Sequence, residues 1–107
     1  MNADEIRNKL EFVLPGAQME RVNIIARHED QLPDITLDLH MLKTRDAERT
    51  TKNVIAIIKD PFNLHLIHGH THGESIKRML RNQISSHKIK EIRPDSWNEG
   101  ITHISVA

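Results

Sequence analysis

At 107 residues the chain is sized for one domain, and with no cysteine it can form neither a disulfide framework nor a thiolate metal site. Fifteen basic and fifteen acidic side chains cancel, which excludes a uniformly basic surface but leaves room for a local basic face. No apolar run approaches the length of a membrane span and no signal-peptide pattern is visible, so a soluble, cytoplasmic protein with no membrane partner is expected.

Ile6, Leu10 and Val13 fall at i, i+4 and i+7, which predicts a helix over 3–14, stopped by Pro15-Gly16. Val22, Ile24 and Ile25 fit either a short strand or another helical turn, and a polar arm from Arg27 to Asp34 follows. Residues 1–32 thus read as an N-terminal helix and arm, and Pro33 opens the main domain, 33–107. From Ile35 to His40 apolar and polar residues alternate, the mark of a half-buried strand. Thr44 is the expected N-cap of a helix reaching about Lys59, with Ala47, Thr51, Val54, Ile55 and Ile58 as its buried stripe. Asp60-Pro61 stops that helix, and Phe62 to His68 forms the next strand. Thr71-His72-Gly73-Glu74 has the T-x-x-E form of a capping box. It would start a helix whose stripe is Ile76, Met79, Leu80 and Ile84. Ile89 to Arg93 and Ile101 to Val106 are two further strands, joined by a loop that carries Trp97. The domain is therefore expected as βαβαββ, an α/β two-layer sandwich on a mixed four-stranded sheet. The first three strands share one direction and the last opposes them.

Two runs at strand ends carry the chemistry. Leu37-Asp38-Leu39-His40 places a carboxylate and an imidazole on one side of a strand end, where the carboxylate can orient the ring or hold a divalent ion. His68-Gly69-His70-Thr71-His72-Gly73 joins the next strand to a helix. Helix N-termini attract phosphate and glycines let the backbone approach it, while histidines supply donors and protons. Neighbouring parallel strands bring their C-terminal ends together, where open α/β sheets place ligands. Lys77, Arg78 and Arg81 follow at i, i+1 and i+4, on the expected exposed side of the helix. They contribute to a net +4 over residues 69–94, against −4 over 1–40. His65 and His103 lie inside strands and read as sheet-surface residues. Trp97 reads as a packing anchor before it reads as a base contact. A metal site built from His68, His70 and His72 alone is a weaker idea, because one short loop seldom supplies a whole ligand set.

The D-x-H and G-H-x-H strings resemble fragments of calcineurin-type metallophosphoesterases, but the G-D-x-x-D and G-N-H-(D/E) segments of those enzymes are missing here. The broader resemblance, over about residues 33–107, is to the Smr (small MutS-related) domain. Its pattern is L-D-L-H after the first strand, H-G-x-G after the second, a G-x-x-(L/I)-(K/R) helix start and a final G-x-T-x-V-x-L strand. Here the matching segments are Leu37 to His40, His68 to Thr71, Gly73 to Lys77 and Gly100 to Val106. The chain departs from the pattern at Met41, which replaces a glycine, at Thr71, which replaces the second glycine of the turn, and at His70, where a basic residue is common.

The resemblance implies a fold like the C-terminal domain of translation initiation factor 3, and binding with endonucleolytic cleavage of DNA or RNA. The expected catalytic residues are Asp38, His40 and His68. Gly69, His70, Thr71, His72, Gly73, Lys77, Arg78, Arg81 and Thr102 are the expected phosphate or nucleic-acid contacts. A divalent cofactor, magnesium or manganese, is a candidate. The alternatives are a nucleic-acid-binding or ribosome-associated module without catalysis, and a protein-interaction domain docking through its N-terminal helix and arm.

Overall fold

Alternating apolar and polar residues build a five-stranded mixed sheet in the computed structural model, which describes residues 1–26, 30–69 and 73–107. The strands are β1 (Asn23–Ile25), β2 (Asp34–Asp38), β3 (Phe62–Ile67), β4 (Ile89–Pro94) and β5 (Ile101–Val106), in the spatial order β1-β2-β3-β5-β4. Among the described residues β2 and β3 pair in parallel and the other three pairs are antiparallel. β2, β3 and β4 therefore share a direction and β5 opposes them, as the connection lengths require. β5, however, inserts between β3 and β4 rather than adding at the edge.

The expected four-stranded sheet gains a fifth member. β1 takes the strand form of the ambiguous 22–25 segment, with Ile24 opposite Ile35. The helices differ from expectation mainly at their ends. α1 (Ala3–Leu10) stops early, because Phe12 and Val13 bond the carbonyls three residues back, at Lys9 and Leu10, in tighter turns. A one-turn helix, α2 (Gly16–Met19), then begins directly after Pro15. α3 (Thr44–Ile57) has Lys43 as its cap, so Thr44 is the first helical residue and not the N-cap. Lys88 closes its other end, donating from Nζ to the Ile55 carbonyl at 2.5 Å and to the Ile58 carbonyl. α4 (Glu74–Arg78) has Gly73 as its cap, and Thr71 of the expected capping box lies outside the described residues. α4 runs into a π-helical turn, Met79–Gln83, closed by the Ile84 N–H on the Met79 carbonyl at 2.8 Å.

One face of the sheet is dry. Ile35, Leu37, Leu64, Leu66, Ile104 and Val106 point into a core shared with Ile6 and Leu10 of α1, Val54 and Ile55 of α3, and Ile76, Met79 and Leu80. Thr36, His65 and His103 lie side by side on the opposite, half-buried face. Among the described residues no helix is long and apolar enough to cross a membrane.

Candidate nucleic-acid site

β2 and β3 end in register, with Asp38 opposite Ile67, and the Leu39 N–H extends the ladder to the Ile67 carbonyl at 2.7 Å. β5 starts at the same edge, Ile101 facing Ile67. His40, His68, Gly69 and the loop before β5 are thereby gathered at one end of the sheet. A cleft of about 630 Å³ lined by Leu32, Pro33, Asp60 and Pro61 opens at the other end, where β2 and β3 begin. It holds none of the expected site residues. Phosphate recognition at a strand edge does not need a deep cavity, so the edge remains the candidate site.

The chain turns sharply after Leu39, and Met41 sits in the left-handed region at φ 73°. This is a glycine-type conformation, at the position where the resembling pattern has glycine. The turn folds His40 back on Asp38. Asp38 Oδ1 accepts the His40 backbone N–H at 3.1 Å and also the ring Nδ1–H. A carboxylate only accepts, so Nδ1 holds the hydrogen and Nε2 carries the lone pair. The His40 side chain is 48% exposed. Among the described residues nothing engages its Nε2. Asp38 and His40 thus form a dyad with a basic nitrogen open to solvent.

His68 is the opposite case. It is 1% exposed and both ring nitrogens are engaged. Nδ1–H donates to the Gly69 carbonyl at 2.7 Å, which leaves Nε2 to accept the Thr102 hydroxyl at 2.9 Å. Thr102, fully buried, accepts in turn from Arg81 Nε–H at 3.1 Å. Burial pushes the imidazole below its ordinary 6.5; the bond to the Gly69 carbonyl opposes this, and the Arg81 and Lys77 cations add to the lowering.

Arg81 is consequently not on the exposed side of its helix, as the spacing predicts, but half-buried against β5. The π-turn is the reason: its extra residue rotates position 81 away from the α-helical wheel. Lys77 and Arg78 both lie near Glu74, at 3.9 and 3.6 Å. Gly69 takes φ 76°. A Cβ on Gly73 would come 1.9 Å from the His68 carbonyl oxygen, so the turn closes only on glycine there. Gly100 accepts the N–H groups of His68 and Gly69 at 2.9 and 3.1 Å, tying the β4–β5 loop to the turn. His70, Thr71 and His72 lie outside the described residues.

A second cluster lies on the open sheet face, with no signal in the local sequence pattern. His65 Nε2–H donates to Asp34 Oδ1 at 2.8 Å and His103 Nε2–H to Asp95 Oδ1 at 2.6 Å. The two Nδ1 atoms lie 2.6 Å apart. His65 and His103 are sheet-surface residues as expected, but they form one chain of hydrogen bonds across β2, β3 and β5. Only the cross-strand register places His65 opposite His103. Among the described residues no group of three or more His, Asp or Glu has the geometry to hold a metal ion.

No protein-family model and no curated protein sequence matches this chain.

Proposed function

We propose that this chain is a small Smr-type endonuclease that binds nucleic acid and hydrolyses its phosphodiester bonds. The observation that carries the reading is the Asp38–His40 dyad, with Nε2 open at the strand edge beside the Gly69 turn. In this role Nε2 takes the proton of the attacking oxygen. That oxygen forms the new P–O bond, and the leaving oxygen departs and is protonated from solvent. Asp38 fixes the tautomer and stabilises the imidazolium as it forms, the usual task of a carboxylate behind a histidine.

His68 serves as a positioning residue: through Thr102 it holds Arg81, and through Gly69 it shapes the turn. Of the expected phosphate contacts, Gly69 lies in the turn, Lys77 on α4 and Arg81 in the π-helical turn that follows it. Two further features favour the Smr reading. Met41 takes a positive φ, which glycine adopts without strain, where the pattern has glycine, and β2-α3-β3-α4-β4-β5 has the element order that the resemblance implies. The binding-module alternative is favoured by one observation: both His68 nitrogens are engaged, so His40 alone of the two histidines offers a free ring nitrogen.

The test incubates purified protein with end-labelled single-stranded RNA, a stem-loop RNA and supercoiled DNA, each with magnesium, with manganese and with chelator. Cleavage that disappears in Asp38→Asn supports the nuclease and identifies substrate and metal requirement together. Intact substrate with a salt-sensitive mobility shift would transfer the assignment to the binding module, since phosphate contacts release counterions.

A further inference from the structure

The loop between β4 and β5 presents the chain's one tryptophan. Trp97 is 96% exposed, so the packing role expected from the sequence is overturned: the ring anchors nothing. Its backbone, by contrast, is pinned. Asp95 Oδ2 accepts the N–H groups of Trp97 and Asn98 at 3.0 and 2.8 Å, while Oδ1 accepts His103 Nε2–H at 2.6 Å. Asn98 Oδ1 accepts the Gly100 N–H at 2.8 Å. Asp95 and Ile101 close the loop base at 3.2 Å. Gly100 then bonds the His68–Gly69 backbone. A fixed main chain thus holds a free indole ring a few residues from the glycine turn.

A large ring left in water on a preorganised loop is the arrangement a ligand contact needs, because little ordering remains to be done on binding. The surroundings decide the class of ligand. Trp97 is flanked in the chain by Asp95, Ser96, Asn98 and Glu99, so no apolar neighbour within the loop extends the ring into a patch. A protein partner needs a contiguous apolar centre to cover. A lone exposed ring matches one flat, equally lone ligand: an unpaired nucleobase.

We propose that Trp97 stacks on an unpaired base next to the phosphate at the Gly69 turn, so that the substrate class is nucleic acid with unpaired nucleotides. This rests on the nucleic-acid reading above. Paired bases present no free face to the ring, and fully duplex nucleic acid is the poorer ligand.

Because Trp97 is the only tryptophan, the emission of the intact protein reports on this ring directly. The experiment titrates the protein with a short single strand, the same strand made abasic, and a blunt duplex, following fluorescence and, independently, anisotropy of a labelled strand. The single strand should quench the emission and bind about tenfold more tightly than the abasic strand, within the range found for one stacked base. Trp97→Ala should lose that advantage while binding the abasic strand unchanged, and Trp97→Phe should keep most of it. Equal binding of base-bearing and abasic strands, or a Trp97→Ala protein that binds the single strand as the parent does, would overturn the proposal. So would a Trp97→Ala effect confined to self-association. If strand binding depends on Trp97 but no strand is cleaved, the nuclease reading falls and the stacking role stands. If no strand binds, both fall.

Discussion

Met41 shows how one residue can hold a turn against its own preference. Left-handed backbone costs a non-glycine residue roughly 1–2 kcal/mol, partly offset by the greater unfolded-state freedom of glycine. Met41 is 83% exposed, so its side chain contributes little packing. Met41→Gly should therefore raise stability by about 0.5–1 kcal/mol in urea denaturation, and should leave the Asp38–His40 bond in place. A loss of stability would show that the side chain makes a contact of its own.

His68 and Thr102 make the opposite case, in which the polar groups are buried and all satisfied. Thr102→Val keeps the shape but removes the hydroxyl that His68 Nε2 accepts and that receives Arg81. Leaving the buried nitrogen unpaired should cost about 1–3 kcal/mol by chemical denaturation. The lowered His68 pKa also gives stability a pH dependence of definite sign. The unfolded chain takes up the proton near the ordinary value of 6.5, whereas the folded ring does so only at lower pH. Protonation therefore favours unfolding. Stability should fall as pH drops from above 6.5 toward the depressed folded value, and His68→Gln should flatten that slope. Stability that rises over this interval would contradict the burial of a neutral ring.

At the scale of elements, the strand–turn–helix from β3 to α4 depends on Gly73. Its Cβ position would lie within 2.5 Å of both the His68 and Gly69 carbonyl oxygens. Both are backbone atoms that cannot swing aside, so Gly73→Ala should destabilise by at least about 1–3 kcal/mol, measured by thermal or urea unfolding. The Asp95 loop supplies the acid-side counterpart. The His103 bond, then the Trp97 and Asn98 backbone bonds, hold the Asp95 carboxyl down to about 2 from an ordinary 3.8. A depressed carboxylate contributes above its unfolded value and loses that contribution as pH falls toward the folded one. Trp97 emission should thus be constant above about pH 4 and change between 4 and 2. In Asp95→Asn, that acid transition should be absent.

Seen across the whole molecule, what could be read from the sequence was what depends on local pattern. Period-two alternation marked β2 and β3, and the 3.6-residue stripe of Val54, Ile55 and their neighbours marked α3. The meeting of Asp38 and His40 followed from their spacing at a strand end. What could not be read depends on long-range placement. β1 is three residues long, too short for alternation to declare itself. The insertion of β5 between β3 and β4 puts His103 opposite His65, and no local signal encodes that choice. Arg81 turned inward because a π-turn broke the helical period. Trp97 is exposed where a packing anchor is expected, because a lone aromatic in a loop carries the same local signature in either setting.

In the proposed function His40 Nε2 is the base, aimed by Asp38. The measurement that tests it most directly is single-turnover cleavage by His40→Ala, with and without added imidazole. The rate should fall by about 10²–10⁴, the usual contribution of a general base, and recover in proportion to the imidazole supplied. Undiminished cleavage by His40→Ala would contradict it.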